Sequence, residues 1–266
     1  MQDTQEKIVW QENGSGTPLV LLHGIGSSAA SWAAQLAHFG QRYRTVAWNA
    51  PGYGGSTPLP EEAPEVSAYA QALAGLLDRL QIAKAHVIGH SLGSLMAARF
   101  AAQYPERILT LTLASSAIGH AKLPAEERAR MLNSRIDDVA ALGPRGMAEK
   151  RGPRLLGPRA SEASIRKVVD VMASVDPQGY AQAARALSQG NMLDDVAALP
   201  ATMPVQVVYG TADVITPPAA NERVAAARPG TPITAIPDGG HAVYVEMPDA
   251  FDAVIDSFLE GHDERP

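Results

Sequence analysis

Gly89-His90-Ser91-Leu92-Gly93 stands between Ala85-His86-Val87-Ile88, an apolar run that reads as a strand, and Ser94 to Gln103, which reads as a helix. A strand that passes straight into a helix through Gly-x-Ser-x-Gly turns so tightly that its central residue takes strained backbone angles. A Cβ at either flanking position would collide with the neighbouring element. Ser91 is therefore expected at a strand's C-terminal edge with its Oγ exposed. It would also sit at a helix N-terminus, where unpaired N–H groups and the helix dipole favour developing negative charge. The pentapeptide is a nucleophile elbow only in that setting, so its weight rests on the chain around it.

The chain before the elbow alternates strand with helix. Lys7 to Gln11 reads as a first strand, Asn13-Gly14-Ser15-Gly16 as a hairpin turn, and Pro18 to Leu22 as a strand buried on both faces. After His23-Gly24-Ile25-Gly26, residues Ser28 to Phe39 carry a helical pattern with Ser27 or Ser28 as its cap. Arg44 to Trp48 is the next strand, and Asn49 to Ser56 is too rich in glycine to be anything but a loop. Tyr69, Leu73, Leu76, Leu77 and Leu80 give Val66 to Leu80 helical periodicity.

Beyond the elbow, Ile108 to Ala114 is another buried strand, and the rhythm then breaks. Residues 117–199 hold helical patterns but no convincing strand, and the triplet Gly-Pro-Arg recurs at Gly143, Gly152 and Gly157. Proline after glycine stops a helix, so this stretch is expected as a cap of short helices inserted into a core of residues 1–116 and 200–266. Alternation resumes with strands over Val205 to Tyr209 and Pro232 to Ile236 and helices over Pro218 to Ala227 and Pro248 to Leu259. Such alternation argues for an α/β fold with a mostly parallel sheet of right-handed crossovers, flanked by helices.

Composition excludes several functions. The chain has no cysteine, which removes disulfides, thiolate metal sites and a cysteine nucleophile, and no histidine spacing suggests a metal-ligand set. A net charge of -6 offers no footprint for nucleic acid. No apolar run is long enough to cross a bilayer and the start, Met1 to Lys7, is polar, so the expectation is a cytoplasmic monomer or homodimer with no membrane partner. The charge is unevenly spread: residues 119–200 carry twelve Lys/Arg against ten Asp/Glu, while the remainder carries ten against eighteen.

A serine hydroxyl is a poor nucleophile until a base takes its proton, and that base needs a carboxylate to orient it. His241, in Asp238-Gly239-Gly240-His241, follows the last strand. Asp213, in Gly210-Thr211-Ala212-Asp213, follows the one before. Ser91, Asp213 and His241 thus occur in the chain order such an elbow uses, and are expected on three neighbouring strand ends. Asp238 is the alternative acid, but three residues before His241 it is better suited to shaping the turn. His23 and His90 read as packing or loop-bracing histidines. For the oxyanion formed on attack, the backbone N–H groups of Leu92 and of Ile25, in the glycine-rich loop after the second strand, are the expected donors.

These motifs carry a resemblance along nearly the whole chain. His23-Gly24-Ile25-Gly26 with Ser31-Trp32, Pro51 to Ser56, Gly89 to Gly93, Tyr104-Pro105-Glu106-Arg107, Gly210 to Asp213 with Pro217, and Gly240-His241 with Glu246-Met247-Pro248 resemble the α/β-hydrolase superfamily. Cap segments around Arg135-Ile136, Gly146-Met147, Asp176 to Tyr180 and Leu193-Asp194 are most similar to 3-oxoadipate enol-lactonases and related carboxylesterases. The resemblance implies a seven- or eight-stranded sheet with an inserted helical cap and no cofactor. Asn49, where relatives usually have Asp, and Ser94, where many have Gly, depart from its pattern. Ser91 at the nucleophile position speaks against dehalogenases and epoxide hydrolases, which use Asp there.

The expected function is hydrolysis of a small carboxylic ester or lactone through an acyl-enzyme. A C–C bond hydrolase of vinylogous diketones on the same triad, and a ligand receptor on a hydrolase fold, are the alternatives. Residues 143–159 carry five Lys/Arg against one acid. At least one of Arg135, Arg145, Arg151 and Arg154 is therefore expected to reach into the crevice and hold a substrate carboxylate.

Overall fold

The structure, a computed structural model, describes residues 7–262. Of the start read as polar, Met1 to Lys7, all but Lys7 lies outside them. Seven strands form one sheet: β1 (Trp10–Asn13), β2 (Pro18–Leu22), β3 (Arg44–Trp48), β4 (Ala85–His90), β5 (Ile108–Ala114), β6 (Val205–Gly210) and β7 (Ile233–Ile236). Their order is β1-β3-β2-β4-β5-β6-β7, and only β1 runs antiparallel to its neighbour. The parallel strands β4 and β6 are buried throughout and β2, β3 and β5 nearly so, as their continuous apolar runs demand. Helices α1 (Ala33–Phe39), α2 (Val66–Arg79) and α3 (Leu92–Gln103) connect the first half of the sheet.

The expected hairpin at Asn13 to Gly16 does not form, because β1 pairs with β3 and not with β2. Here the chain crosses β3 to reach the third position in the sheet. Gly14, at φ 81°, is in the left-handed region, and a Cβ on it would stand 2.1 Å from the Gly40 carbonyl oxygen. The glycine therefore serves a close crossing of two backbones. β1 also starts later than expected. Lys7 and Val9 spend their carbonyls on the Thr57 and Asn49 N–H groups of the glycine-rich loop.

Between β5 and β6 lie α4 (Ala125–Arg151), α5 (Glu162–Met172), α6 (Pro177–Gln189) and α7 (Met192–Ala197). α4 is two helices joined at a kink, where Gly143 leaves helical geometry at φ 66°, ψ 173° ahead of Pro144. The second Gly-Pro-Arg opens a 3₁₀ turn, Gly152–Leu155. This segment has no core of its own. Met147, Tyr180, Leu187 and Met192 belong to the same apolar cluster as Val20, Val87 and Leu111 of the sheet. α6 packs on α2 and α3, and α7 on α3 and on α8 (Pro218–Ala227). Short α9 (Val243–Glu246) and long α10 (Pro248–Glu260) complete the chain. α9, four residues long, is too short to carry a period. No helix among the described residues is long and apolar enough to cross a membrane.

Candidate active site

The loops at the C-terminal ends of β2, β4, β6 and β7 converge on a crevice of about 200 Å³ under α4 and α5. Ser91 caps α3 with φ 54° and ψ -118°. Holding a non-glycine residue there costs about 1–3 kcal/mol, offset by the packing around it. A Cβ on Gly89 would come within 2.3 Å of the Gly93 carbonyl oxygen, and one on Gly93 within 2.2 Å of the Leu22 carbonyl oxygen, so both glycines are sterically required. Ser91 and His241 both line the crevice.

Asp213 Oδ2 lies 2.8 Å from His241 Nδ1, with both side chains buried. The other oxygen, Oδ1, accepts the Ile215 and Thr216 N–H groups at 2.8 and 2.9 Å, which fixes the carboxylate plane. Burial pushes the Asp213 carboxyl up, but the His241 charge and the bonds from His241 and Thr216 outweigh it and hold it below the usual carboxylate range. Ser91, Asp213 and His241 come from the ends of β4, β6 and β7. The ends are not neighbouring, because β5 runs between β4 and β6. Asp238 is elsewhere: it sits at φ 61°, donates its N–H to Thr211 Oγ1 and pairs with Arg159 at 3.2 Å.

His90 donates from Nε2 to the His241 carbonyl oxygen at 2.8 Å, bracing the backbone beneath the candidate base. Burial and the neighbouring His241 depress its pKa to about 3. His23 bonds the Gly24 carbonyl oxygen and accepts the Ala50 N–H, and burial depresses it to about 4. Both imidazoles are neutral scaffolding near pH 7. Leu92 is the first residue of α3, where an amide has no intrahelical acceptor. Ile25 lines the crevice, and the preceding Gly24 lies so near that a Cβ on it would meet Ser91 Cβ at 2.9 Å. Among the described residues neither the Ile25 nor the Leu92 N–H donates to a backbone carbonyl outside the helices and strands. Asn49, one of the two departures from the resembled pattern, accepts the Ala29 N–H and so ties down the start of the segment after this loop.

Residues 17–248 match the family model described as alpha/beta hydrolase fold. The chain belongs to that family. A thermophilic esterase from Thermogutta terrifontis superposes on this alpha/beta hydrolase with a TM-score of 0.88 at 27% identity, covering 99% of this chain and 97% of the other. The enol-lactonase from Burkholderia xenovorans LB400 gives 0.86 at 24% identity over 97% and 98%, a likeness of fold. An (E)-2-((N-methylformamido)methylene)succinate hydrolase from Acinetobacter baylyi is 25% identical over 253 residues, 94% of this chain and 92% of that protein.

The crevice of this alpha/beta hydrolase is lined by four cationic side chains, Arg135, Arg151, Arg154 and Lys167, and, among the described residues, by no Asp or Glu. Arg145 is not among them. It lies two residues past the kink at Gly143 and makes an exposed pair with Asp170. Arg151 shares Asp138 with Lys150 and bonds the Ser134 carbonyl. Arg135, Arg154 and Lys167 have no ion-pair partner among the described residues. Burial lowers the Lys167 pKa, and burial together with the Arg135 charge depresses nearby His120 to about 4.

Lys167 escaped the sequence reading. It is a single charge on a helical face otherwise made by Val168, Val171 and Met172, and that face turns inward only in the fold. Glu246, read as a motif residue without a role, accepts the Gly157 N–H at 2.9 and 3.0 Å and the Gly240 N–H at 2.9 Å. With the Ala242 N–H on the Leu155 carbonyl oxygen, it fastens the crevice wall to the loop of His241. Glu246→Ala strands both amides and is expected to cost about 2 kcal/mol in urea unfolding. Wild-type stability in that variant would mean that the carboxylate adds nothing to the joint.

Proposed function

We propose that this alpha/beta hydrolase cleaves a small carboxylic ester or lactone through an acyl-enzyme. Ser91 Oγ attacks the carbonyl carbon while His241 takes its proton at Nε2, and Asp213 holds the imidazole in the tautomer that leaves Nε2 free. The oxyanion falls to the Ile25 and Leu92 N–H groups. Collapse expels the alcohol with the proton from His241, and water then repeats the sequence on the acyl-serine. The observation that carries the reading is the 2.8 Å Asp213–His241 bond beside a serine held at φ 54° in the same crevice. Steady turnover of p-nitrophenyl acetate tests it: a single stoichiometric burst would favour a receptor that reacts once.

Three cations without an ion-pair partner, and no Asp or Glu, among the described residues of the crevice favour a substrate bearing a carboxylate. Arg135, Arg154 and Lys167 are the residues to hold it, worth about 1.5–3 kcal/mol for one charge-assisted contact. Replacing each by Ala should narrow the preference for an acidic lactone over its neutral methyl ester by about tenfold or more in kcat/KM at the residue that makes the contact. Arg145→Ala should leave it unchanged. If none of the three variants narrows the preference, the crevice is no anion clamp.

A further inference from the structure

Thr216 stands where two members of the candidate triad meet. Its Oγ1 lies 2.8 Å from Asp213 Oδ2 and 3.1 Å from His241 Nδ1, and the same Oδ2 lies 2.8 Å from that Nδ1. A hydroxyl carries one hydrogen and two lone pairs, whereas an ionised carboxylate only accepts. The Thr216 hydroxyl therefore donates to Asp213 and turns a lone pair toward the Nδ1–H, which is shared between two acceptors. Two acceptors, added to the packing of the buried ring against His90, hold its rotation more closely than one would.

Thr216 is itself held from behind. Its carbonyl oxygen accepts from Asn221 Nδ2 at 3.0 Å, and Asn221 Oδ1 accepts the Ser116 N–H at 2.8 Å. Asn221 is fully buried, and Ser116 follows the end of β5, the strand that separates the serine's strand from the acid's. The bridge Ser116–Asn221–Thr216 spans that gap and sets the acid loop against the rest of the site.

We propose that Thr216 is a positioning residue, its hydroxyl sharing the His241 Nδ1–H with Asp213 and so aiming Nε2 at Ser91. The inference rests on the serine-hydrolase reading for its kinetic consequence but not for its hydrogen bonds. The test compares Thr216→Val, which keeps the shape and loses the hydroxyl, with Thr216→Ser, which keeps the hydroxyl, and with Thr216→Ala should valine fail to fold. Two readouts are taken: kcat and KM on p-nitrophenyl acetate, and the downfield proton resonance of His241 Nδ1–H, assigned by its absence in His241→Gln.

Valine should lower kcat by about tenfold with KM nearly unchanged, and serine should restore it. The resonance should move in valine and return in serine. A kcat loss that serine does not restore, or a resonance that stays put in valine, overturns the proposal. If wild type neither turns over esters nor takes a fluorophosphonate while the resonance still moves and returns, the hydrolase reading falls and the Thr216 hydrogen bond stands.

Discussion

Ser91→Ala is expected to reduce ester turnover by roughly a millionfold, to whatever the oxyanion donors and binding alone supply. The size follows from the proposal that the three side chains act as one unit: without the hydroxyl, His241 would have no proton to take and Asp213 no imidazolium to steady. The fold should not change, because the Ser91 side chain makes no cap hydrogen bond to α3, and alanine meets the same φ of 54° with the same Cβ. A thermal midpoint close to wild type, measured beside the lost activity, separates a chemical loss from unfolding. A variant that keeps even a tenth of the turnover would place the nucleophile elsewhere.

Asp213→Asn should cost about a thousandfold to ten-thousandfold in kcat, while Asp238→Asn should change little. Asparagine can still accept the Ile215 and Thr216 N–H groups through Oδ1, so the loop keeps its shape. The amide then replaces Oδ2, and its N–H faces Nδ1–H, which drives the imidazole into the tautomer that protonates Nε2 and removes the base. Asp238 is half exposed and bonded to Arg159, away from the ring. Assaying both variants on one substrate decides between the acids, and a larger loss in Asp238→Asn would reverse the choice.

Much of the candidate site's geometry was legible in the chain because its determinants are local. The elbow needs glycine at 89 and 93 whatever surrounds it, and strands buried on both faces announce themselves as apolar runs such as Pro18 to Leu22. What was not legible depends on how elements are arranged in space. The pairing of β1 with β3, and the place of β5 between the strands of serine and acid, are properties of the whole sheet. Side-chain direction on the helices was equally hidden. Arg145 and Lys167 are both cations on helices, yet one makes an exposed pair with Asp170 while the other lines the crevice. Thr216 was passed over because a threonine three residues beyond an acid is ordinary loop chemistry until the histidine loop is folded against it.

The central claim is that Ser91 is the nucleophile that becomes acylated. Incubation with a fluorophosphonate, followed by digestion and mass spectrometry of the peptides, reads it directly. A single adduct on Ser91, formed by wild type and absent from Ser91→Ala, is the result expected. An adduct on any other residue, or an active enzyme that takes no label, would contradict it.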